Sequence, residues 1–504
     1  MGIVIRQSVK YSVLNYLGAV IGIISTLFIY PLAIDSYGMV RWFIDIAALA
    51  TPFVMLGANS LAVKYFPEFW ISRQQNKNSL LSLLLIWVLF GLTVFSLAWF
   101  LFSGSIQEFF STQSAQRSSF YTVLYPLTVF FILGTFFTQY ASNYKRIVIP
   151  SLLFEILIKI TMPVFILGMV YLSWKLDVLV YGVVASYAIA AVALLFYLYR
   201  LGAFRSMDFK DSVKKVGYKA ISSYALFGLF SALGAILALR IDRVMVGYLL
   251  GDTINGIFSI VVTLGVFMEI PFRSITKIAS PLVSNSMSIN DMREVEKVYK
   301  GSSLNLMLIG AVLFTGIWWL IDEVFLWMPN GEEVAAGKYV IFYYGLAVWI
   351  NMITSVNTQI IGFSNYYRVN FYAYLVLAVL NVVMNWIFIK QFGMVGASMA
   401  TLASIGLFNA IKSGFIWWKF KIHPFSGKTV QTLFLSGVIW CLLLILFSGR
   451  FIGFDFPSVV SFLIKGVFIV ICFGAGMIWL NLSPELTAVI KDPLSVILPG
   501  KSKK

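Results

Sequence analysis

The chain has 504 residues, of which 60% are apolar and 12% charged, with a formal net charge of +16. Soluble globular domains carry about 25% charged residues, so the composition excludes a water-soluble enzyme and points to an integral membrane protein. A mean hydropathy of +0.89, in runs far longer than the roughly ten-residue alternating strands of outer-membrane barrels, makes the predicted class an all-α polytopic membrane protein.

A helix needs about 20 apolar residues to cross the hydrocarbon, and fourteen such spans are predicted. They lie near 10–33, 39–63, 80–102, 120–143, 147–171, 178–199, 219–239, 253–272, 302–321, 338–361, 369–389, 394–418, 430–447 and 459–480. Arg6 and Lys10 precede the first run, which has no small-residue cleavage site and is read as an uncleaved span. The seventh and eighth spans are the least separated, because Arg240 to Gly251 is itself mostly apolar and either extends the seventh or belongs to the connection. Basic links near 200–219 and 419–428 divide the runs into six, six and two. The expected organisation is an N-lobe over 1–205, a C-lobe over 206–425, an additional helix pair over 426–482 and a basic tail over 483–504. Ser36-Tyr37-Gly38-Met39 before the second span has a faint counterpart in Ile254-Asn255-Gly256-Ile257-Phe258 before the eighth. Repeats of six spans share orientation, so the lobes are expected to be related by a pseudo-twofold axis along the membrane normal, with a path between them.

The basic residues test this topology. With a cytoplasmic N-terminus, 26 of the 37 fall on the inner side and two, Lys159 and Lys412, within spans. Nine fall outside: Arg41, Arg117, Lys175, Arg240, Arg243, Lys338, Lys390, Arg450 and Lys465. The excess fits the positive-inside rule with both termini in the cytoplasm. It also accounts for the positive charge without nucleic acid, since no soluble basic domain exists to bind one. The acidic residues Asp322, Glu323, Glu332 and Glu333 fall outside.

Several chemistries are closed off. The two cysteines, Cys441 and Cys472, lie in apolar spans and form no disulfide framework or metal cluster, and the lone His423 has no ligand partners. No GxxxxGK[ST] loop is present, which argues against ATP hydrolysis in this chain. No loop exceeds about 30 residues, short of the 50 or so that a domain requires. No cofactor or metal is expected, and a non-enzymatic carrier or channel is.

Three stretches carry a family resemblance. Tyr30-Pro31-Leu32 through Tyr37-Gly38, continuing to Leu56-Gly57 and Lys64-Tyr65-Phe66-Pro67, is similar to the opening of polysaccharide and O-antigen flippases of the multidrug/oligosaccharidyl-lipid/polysaccharide (MOP) exporter superfamily. Ile241 to Ile260 resembles the start of their second lobe. Asn381 to Thr401, with Gly393 and Gly396-Ala397-Ser398, resembles their eleventh-to-twelfth helix signature. The resemblance implies translocation of a polyprenyl-diphosphate-linked oligosaccharide, such as an O-antigen or capsule repeat unit, across a bacterial inner membrane. It also implies two lobes in a V around a cationic cavity. The implied partners are the lipid-linked substrate, the bilayer, a proton or sodium ion where transport is coupled, and polysaccharide polymerase or ligase proteins. Arginine suits such a substrate because its planar fork donates two hydrogen bonds to phosphate at once.

Four charged groupings are candidates. Arg240 and Arg243, three residues apart and on one face if the seventh helix continues, have Asp242 between them as an ion partner; they are read either as cavity cations or as an interfacial cluster. Glu155 and Lys159 stand at i and i+4 in the fifth span, the favourable order for a helical pair, and Lys159 lies near the midplane. Arg41 with Asp45, and Glu269 with Arg273, repeat that spacing near span ends and are read as gating or anchoring salt bridges. Lys412 in the twelfth span either faces the cavity or snorkels inward. Substrate binding is thus assigned to Lys159, Arg240, Arg243 and Lys412; ion coupling or salt bridging to Glu155, Asp242, Asp45 and Glu269; gating to Arg41 and Arg273. The alternatives are a multidrug or metabolite antiporter of the same superfamily, a peptidoglycan-precursor flippase, and a membrane glycosyltransferase, ligase or polymerase. The antiporter branch usually has twelve spans, against which the terminal pair argues. The precursor flippase carries cavity arginines in its first helix, whereas residues 11–33 here contain no basic residue. A glycosyltransferase, ligase or polymerase would need catalytic groups in a sizeable outer loop, but the loop at 322–337 is acidic and short.

Overall fold

The computed structural model describes residues 14–73, 80–111, 115–144, 146–204, 217–447 and 457–491. The start of the first predicted span, most of the basic link after residue 204 and the end of the tail lie outside the described residues.

The described residues are almost wholly helical. Among the described residues, nine helical runs are long and apolar enough to cross a membrane, or up to twelve if each of three bent pairs counts as one crossing. The first run, Leu14–Met55, passes through a π turn at Ser25–Ile29 and a 3-10 turn at Tyr30–Ala33 into α1 (Ile34–Met55). Proline 31 has no N–H to donate, so the regular ladder gives way there. There follow α2 (Ala58–Arg73), α3 (Leu80–Leu101), α4 (Ser103–Ser111), α5 (Ala115–Phe120), α6 (Leu124–Ser142), α7 (Leu157–Tyr171), α8 (Leu176–Arg200) and α9 (Tyr218–Leu250). Arg240 to Leu250 extends the seventh span as helix, after a 56° bend, and ends at Gly251 with φ +90°. Next come α10 (Asp252–Val266), α11 (Glu269–Ser288), α12 (Met292–Trp327), α13 (Lys338–Ile353), α14 (Asn357–Phe363), α15 (Arg368–Phe420), α16 (Gly427–Phe447), α17 (Ser458–Trp479) and α18 (Pro484–Lys491). The 53-residue α15 is broken at Gly393, whose φ of +60° and ψ of −142° suit a residue without a Cβ. That is the glycine of the family signature.

The prolines of the helices divide by position. Pro52 and Pro163 are interior to their helices. Pro126 and Pro271 fall in first turns, where a missing N–H is tolerated.

The chain forms two compact units, each discontinuous in sequence. One comprises residues 1–260 with 378–394. Its core joins α1, α2, α3, α6, α8 and α9 through Val54, Leu61, Leu84, Phe136, Tyr140, Leu194 and Ala225. The other comprises 261–377 with 395–504, and here α12 is central, packing against α11, α13, α16 and α17. Its layers are Phe314 with Trp349 and Trp440, and Ala311 with Ile439, Leu443 and Ile469. The terminal pair is pinned to α12 by polar contacts. Glu323 accepts from Lys465 Nζ at 2.5 Å and Ser461 Oγ at 2.6 Å, and Trp327 Nε1 donates to Ser458 Oγ at 2.9 Å. Glu323 and Lys465 are both largely buried. Removing one partner of a buried pair leaves an uncompensated charge, so Lys465→Met should lower stability by about 3 kcal/mol. Replacing Glu323 and Lys465 together with apolar residues should restore most of it, as read by thermal unfolding in detergent.

Candidate functional site

The arginines of the seventh span and the Arg41–Asp45 pair form one cluster. Asp45 on α1 is fully buried. Arg41 Nε lies 3.3 Å and Arg243 Nε 3.0 Å from its Oδ2, and Arg240 Nη1 donates to its Oδ1. Three guanidinium groups thus surround one carboxylate, leaving two positive charges in excess. The side chains of Arg41, Arg240 and Arg243 retain 28, 27 and 12% exposure. Five N–H donors on each guanidinium exceed what a single carboxylate can accept. Tyr30, Tyr37 and Tyr187, all buried, lie within electrostatic reach of Arg41, and the first two stack at 4.2 Å.

Close backbone approach sets this geometry. A Cβ on Gly38 would stand 2.0 Å from the Asp252 carbonyl oxygen, and one on Gly256 would stand 2.3 Å from that of Ile34. Asn255 Nδ2 donates to the Gly38 carbonyl at 2.8 Å, and Thr253 Oγ1 to Asp35. The two faintly similar sequence motifs therefore pack on each other. Deeper along α1, Trp42 Nε1 donates to the Val244 carbonyl at 2.9 Å, its indole seated where a Cβ on Gly247 would be.

Asp242, expected as a partner to the neighbouring arginines, is also held by two asparagines. Successive helical residues project about 100° apart, so Asp242 does not share the face that carries Arg240 and Arg243 to Asp45. It accepts from Asn381 Nδ2 at 3.0 Å and Asn385 Nδ2 at 3.1 Å. Asn385 Nδ2 also donates to Asn381 Oδ1 at 2.8 Å, and all three residues are buried. The two asparagines lie in the third family-like stretch and were not among the expected site residues.

Glu155 and Lys159, expected as an i, i+4 pair, are both exposed and do not pair with each other within 4.0 Å. Leu152–Ile156 is a π turn, which alters the i, i+4 register on which that pairing depends. Lys159 Nζ instead approaches Gly18 of the first run. Lys412 does not snorkel. It is completely buried, donates to Thr358 Oγ1, and faces the rings of Phe408 and Tyr374 at 4.4 and 5.9 Å. No carboxylate lies within 4.0 Å of it among the described residues. One turn away, Asn409 joins Thr354, Asn357 and Asn351 in a buried polar network beside a cavity of about 680 Å³. Glu269 and Arg273 form the expected pair at 2.7 Å, with Arg273 exposed.

Sequence reasoning also missed Arg117. It is fully buried, bonded to Asp252 through Nε at 2.8 Å and stacked at 4.0 Å on Trp42. The available signal was isolation, since Glu108 is the only other charge between Lys77 and Lys145.

No protein-family model matches the chain. A 236-residue stretch, 45% of this chain, is 23% identical to the probable low-salt glycan biosynthesis flippase Agl15 of Haloferax volcanii, and it spans about half the length of that protein. Among solved structures, lipid II flippase MurJ in an inward closed conformation superimposes with a TM-score of 0.68 at 12% identity, covering 94% of this chain and 99% of that one. An inward-facing multidrug resistance MATE family transporter of the MOP superfamily gives 0.62 at 12% identity, covering 80 and 94%. A MOP superfamily transporter from Pyrococcus furiosus gives 0.53 at 12% identity, covering 83 and 95%. These likenesses establish the fold and agree with the flippase resemblance carried by the motifs; the proteins named are flippases and transporters, not enzymes.

The close approach at Gly38 yields a direct test. Because the opposing atoms are backbone, Gly38→Val must separate α1 from α10, with an overpacking penalty of about 1–3 kcal/mol. The expected outcome is a lower unfolding midpoint and loss of transport together, whereas Gly104→Val, at a site with no atom within 4 Å of an added Cβ, should be silent.

Proposed function

We propose that this chain, which has the fold of the MOP exporter superfamily, is a flippase that carries a polyprenyl-diphosphate-linked oligosaccharide across the membrane by alternating access. The observation that supports this reading best is the surplus of positive charge at Arg41, Arg240 and Arg243 around Asp45. A diphosphate cannot enter hydrocarbon bare, and paired guanidinium forks replace its water with charge-assisted hydrogen bonds. The same surplus repels cationic drugs, which disfavours a multidrug antiporter. The glycan flippase and the lipid II flippase among the similar proteins favour a lipid-linked glycan. An O-antigen or capsule repeat unit at a bacterial inner membrane, with both termini cytoplasmic, is the substrate and setting we adopt.

The proposed architecture has fourteen spans. Leu14–Met55 and Arg368–Phe420, at 42 and 53 residues, extend about 63 and 80 Å as helix, enough for two crossings each of a core about 30 Å thick. Counting them so brings twelve to fourteen. In the six, six and two division, α1 belongs to the N-lobe and α9 to the C-lobe. The arginine cluster would then join the lobes, and substrate phosphate would compete with Asp45 for the guanidinium groups. Lys159, Lys412, Glu155, Glu269 and Arg273 remain secondary candidates along the path. Polymerase or ligase proteins would consume the product.

The drive is proposed to be a proton or sodium ion exchanged at the Asp242 carboxylate, which Asn381 and Asn385 hold by donated hydrogen bonds. Each charge moved across 100 mV contributes about 2.3 kcal/mol. Export of labelled lipid-linked oligosaccharide in proteoliposomes tests the function. Arg240→Gln and Arg243→Gln should each lower it at least tenfold with insertion unchanged, and Lys159→Ala should abolish it; wild-type rates in all three would end the cationic-path reading. In the same assay Asp242→Asn should remove any dependence of the rate on an imposed sodium or proton gradient, while an undiminished gradient response would dismiss Asp242 as the coupling group.

A further inference from the structure

We infer that Arg117, with Asp252, is a positioning residue for the arginine cluster, holding α1 in register with α9 by clamping Trp42. The inference rests on the reading of the cluster as the diphosphate site.

Arg117 contributes nothing to the surplus charge at Asp45, because its guanidinium is engaged by Asp252: Nη2 lies 2.6 Å and Nε 2.8 Å from Oδ1. Its planar face covers the Trp42 ring at 4.0 Å, and Phe110 meets the same ring edge-on at 5.7 Å. Trp42 follows Arg41, and its indole N–H is bonded to the carbonyl of Val244, which follows Arg243. The clamped contact is therefore one residue from the cluster on both helices. A slip of one residue along a helix moves a side chain about 1.5 Å, enough to break ion pairs of 3.0 and 3.3 Å. Asp252 opens α10 directly after Gly251, so the clamp also ties the end of α9 to α5. A cation that is 1% exposed and far from any other basic residue in sequence is poorly explained by stability alone, because burying such a pair gains little over apolar packing.

The test uses the full chain in nanodiscs and inorganic pyrophosphate as the probe. Asp252→Asn removes the charge while keeping a residue suited to a helix start, and Arg117→Gln removes it from the other side. Each should weaken pyrophosphate binding about tenfold by calorimetry, and the double variant should be no weaker than either single. Deuterium uptake over 38–45 and 241–247 should rise in both while that over 124–142 stays at the wild-type level. Unchanged affinity in the single variants, or losses that multiply in the double, overturns the inference; a lower melting temperature with affinity intact does so too. If Arg117→Gln does not fold, Asp252→Asn decides. If the wild-type chain binds no pyrophosphate, the diphosphate reading fails, and uptake alone then judges the clamp, with no rise in Asp252→Asn counting against it.

Discussion

Attraction between a single buried carboxylate and three guanidinium groups organises the unit that holds the candidate site. Asp45 alone would be costly in an apolar interior, and three adjacent arginines would repel one another. Together they are held by ion pairs between α1 and α9, three guanidinium groups to one carboxylate. A neutral pair would stabilise the helices as well without offering anything to a ligand. The three-to-one gathering is what the proposed diphosphate site rests on.

The remaining polar groups of the interior differ in how fully they are satisfied. Asp242 with Asn381 and Asn385 forms a compact hydrogen-bonded set in which the Asn385 side-chain oxygen alone has no partner among the described residues. Glu323 with Lys465 and Ser461 fastens the terminal helices and has a structural role. Lys412 has a hydroxyl and two aromatic faces in place of a counter-charge. Intramembrane ionisable groups tend to mark pathways, and these sites differ in how much opposite charge their neighbours supply.

Glycine does the complementary work. Gly38 and Gly256 bring two chain segments to backbone contact, Gly247 makes room for Trp42, and Gly393 breaks α15. In water, burial of large side chains would drive such contacts. In lipid, where apolar side chains gain little by leaving the hydrocarbon, close packing of small residues and buried hydrogen bonds take over. Asn255 to Gly38 and Trp42 to Val244 are bonds of that kind.

Hydropathy and the distribution of lysine and arginine suffice to establish the helical membrane class, because the bilayer imposes length and polarity one segment at a time. The break at Gly393 and the helical face shared by Arg240 and Arg243 were legible for the same local reason. Spacing misled where it assumed regular helix, at Glu155 and Lys159. The gathering of Arg41, Asp45, Arg240 and Arg243, the asparagines around Asp242 and the burial of Arg117 on Trp42 depend on residues 75 to about 200 positions apart. Such pairings follow from how whole helices pack, which no local pattern encodes, so only the tertiary structure decided them.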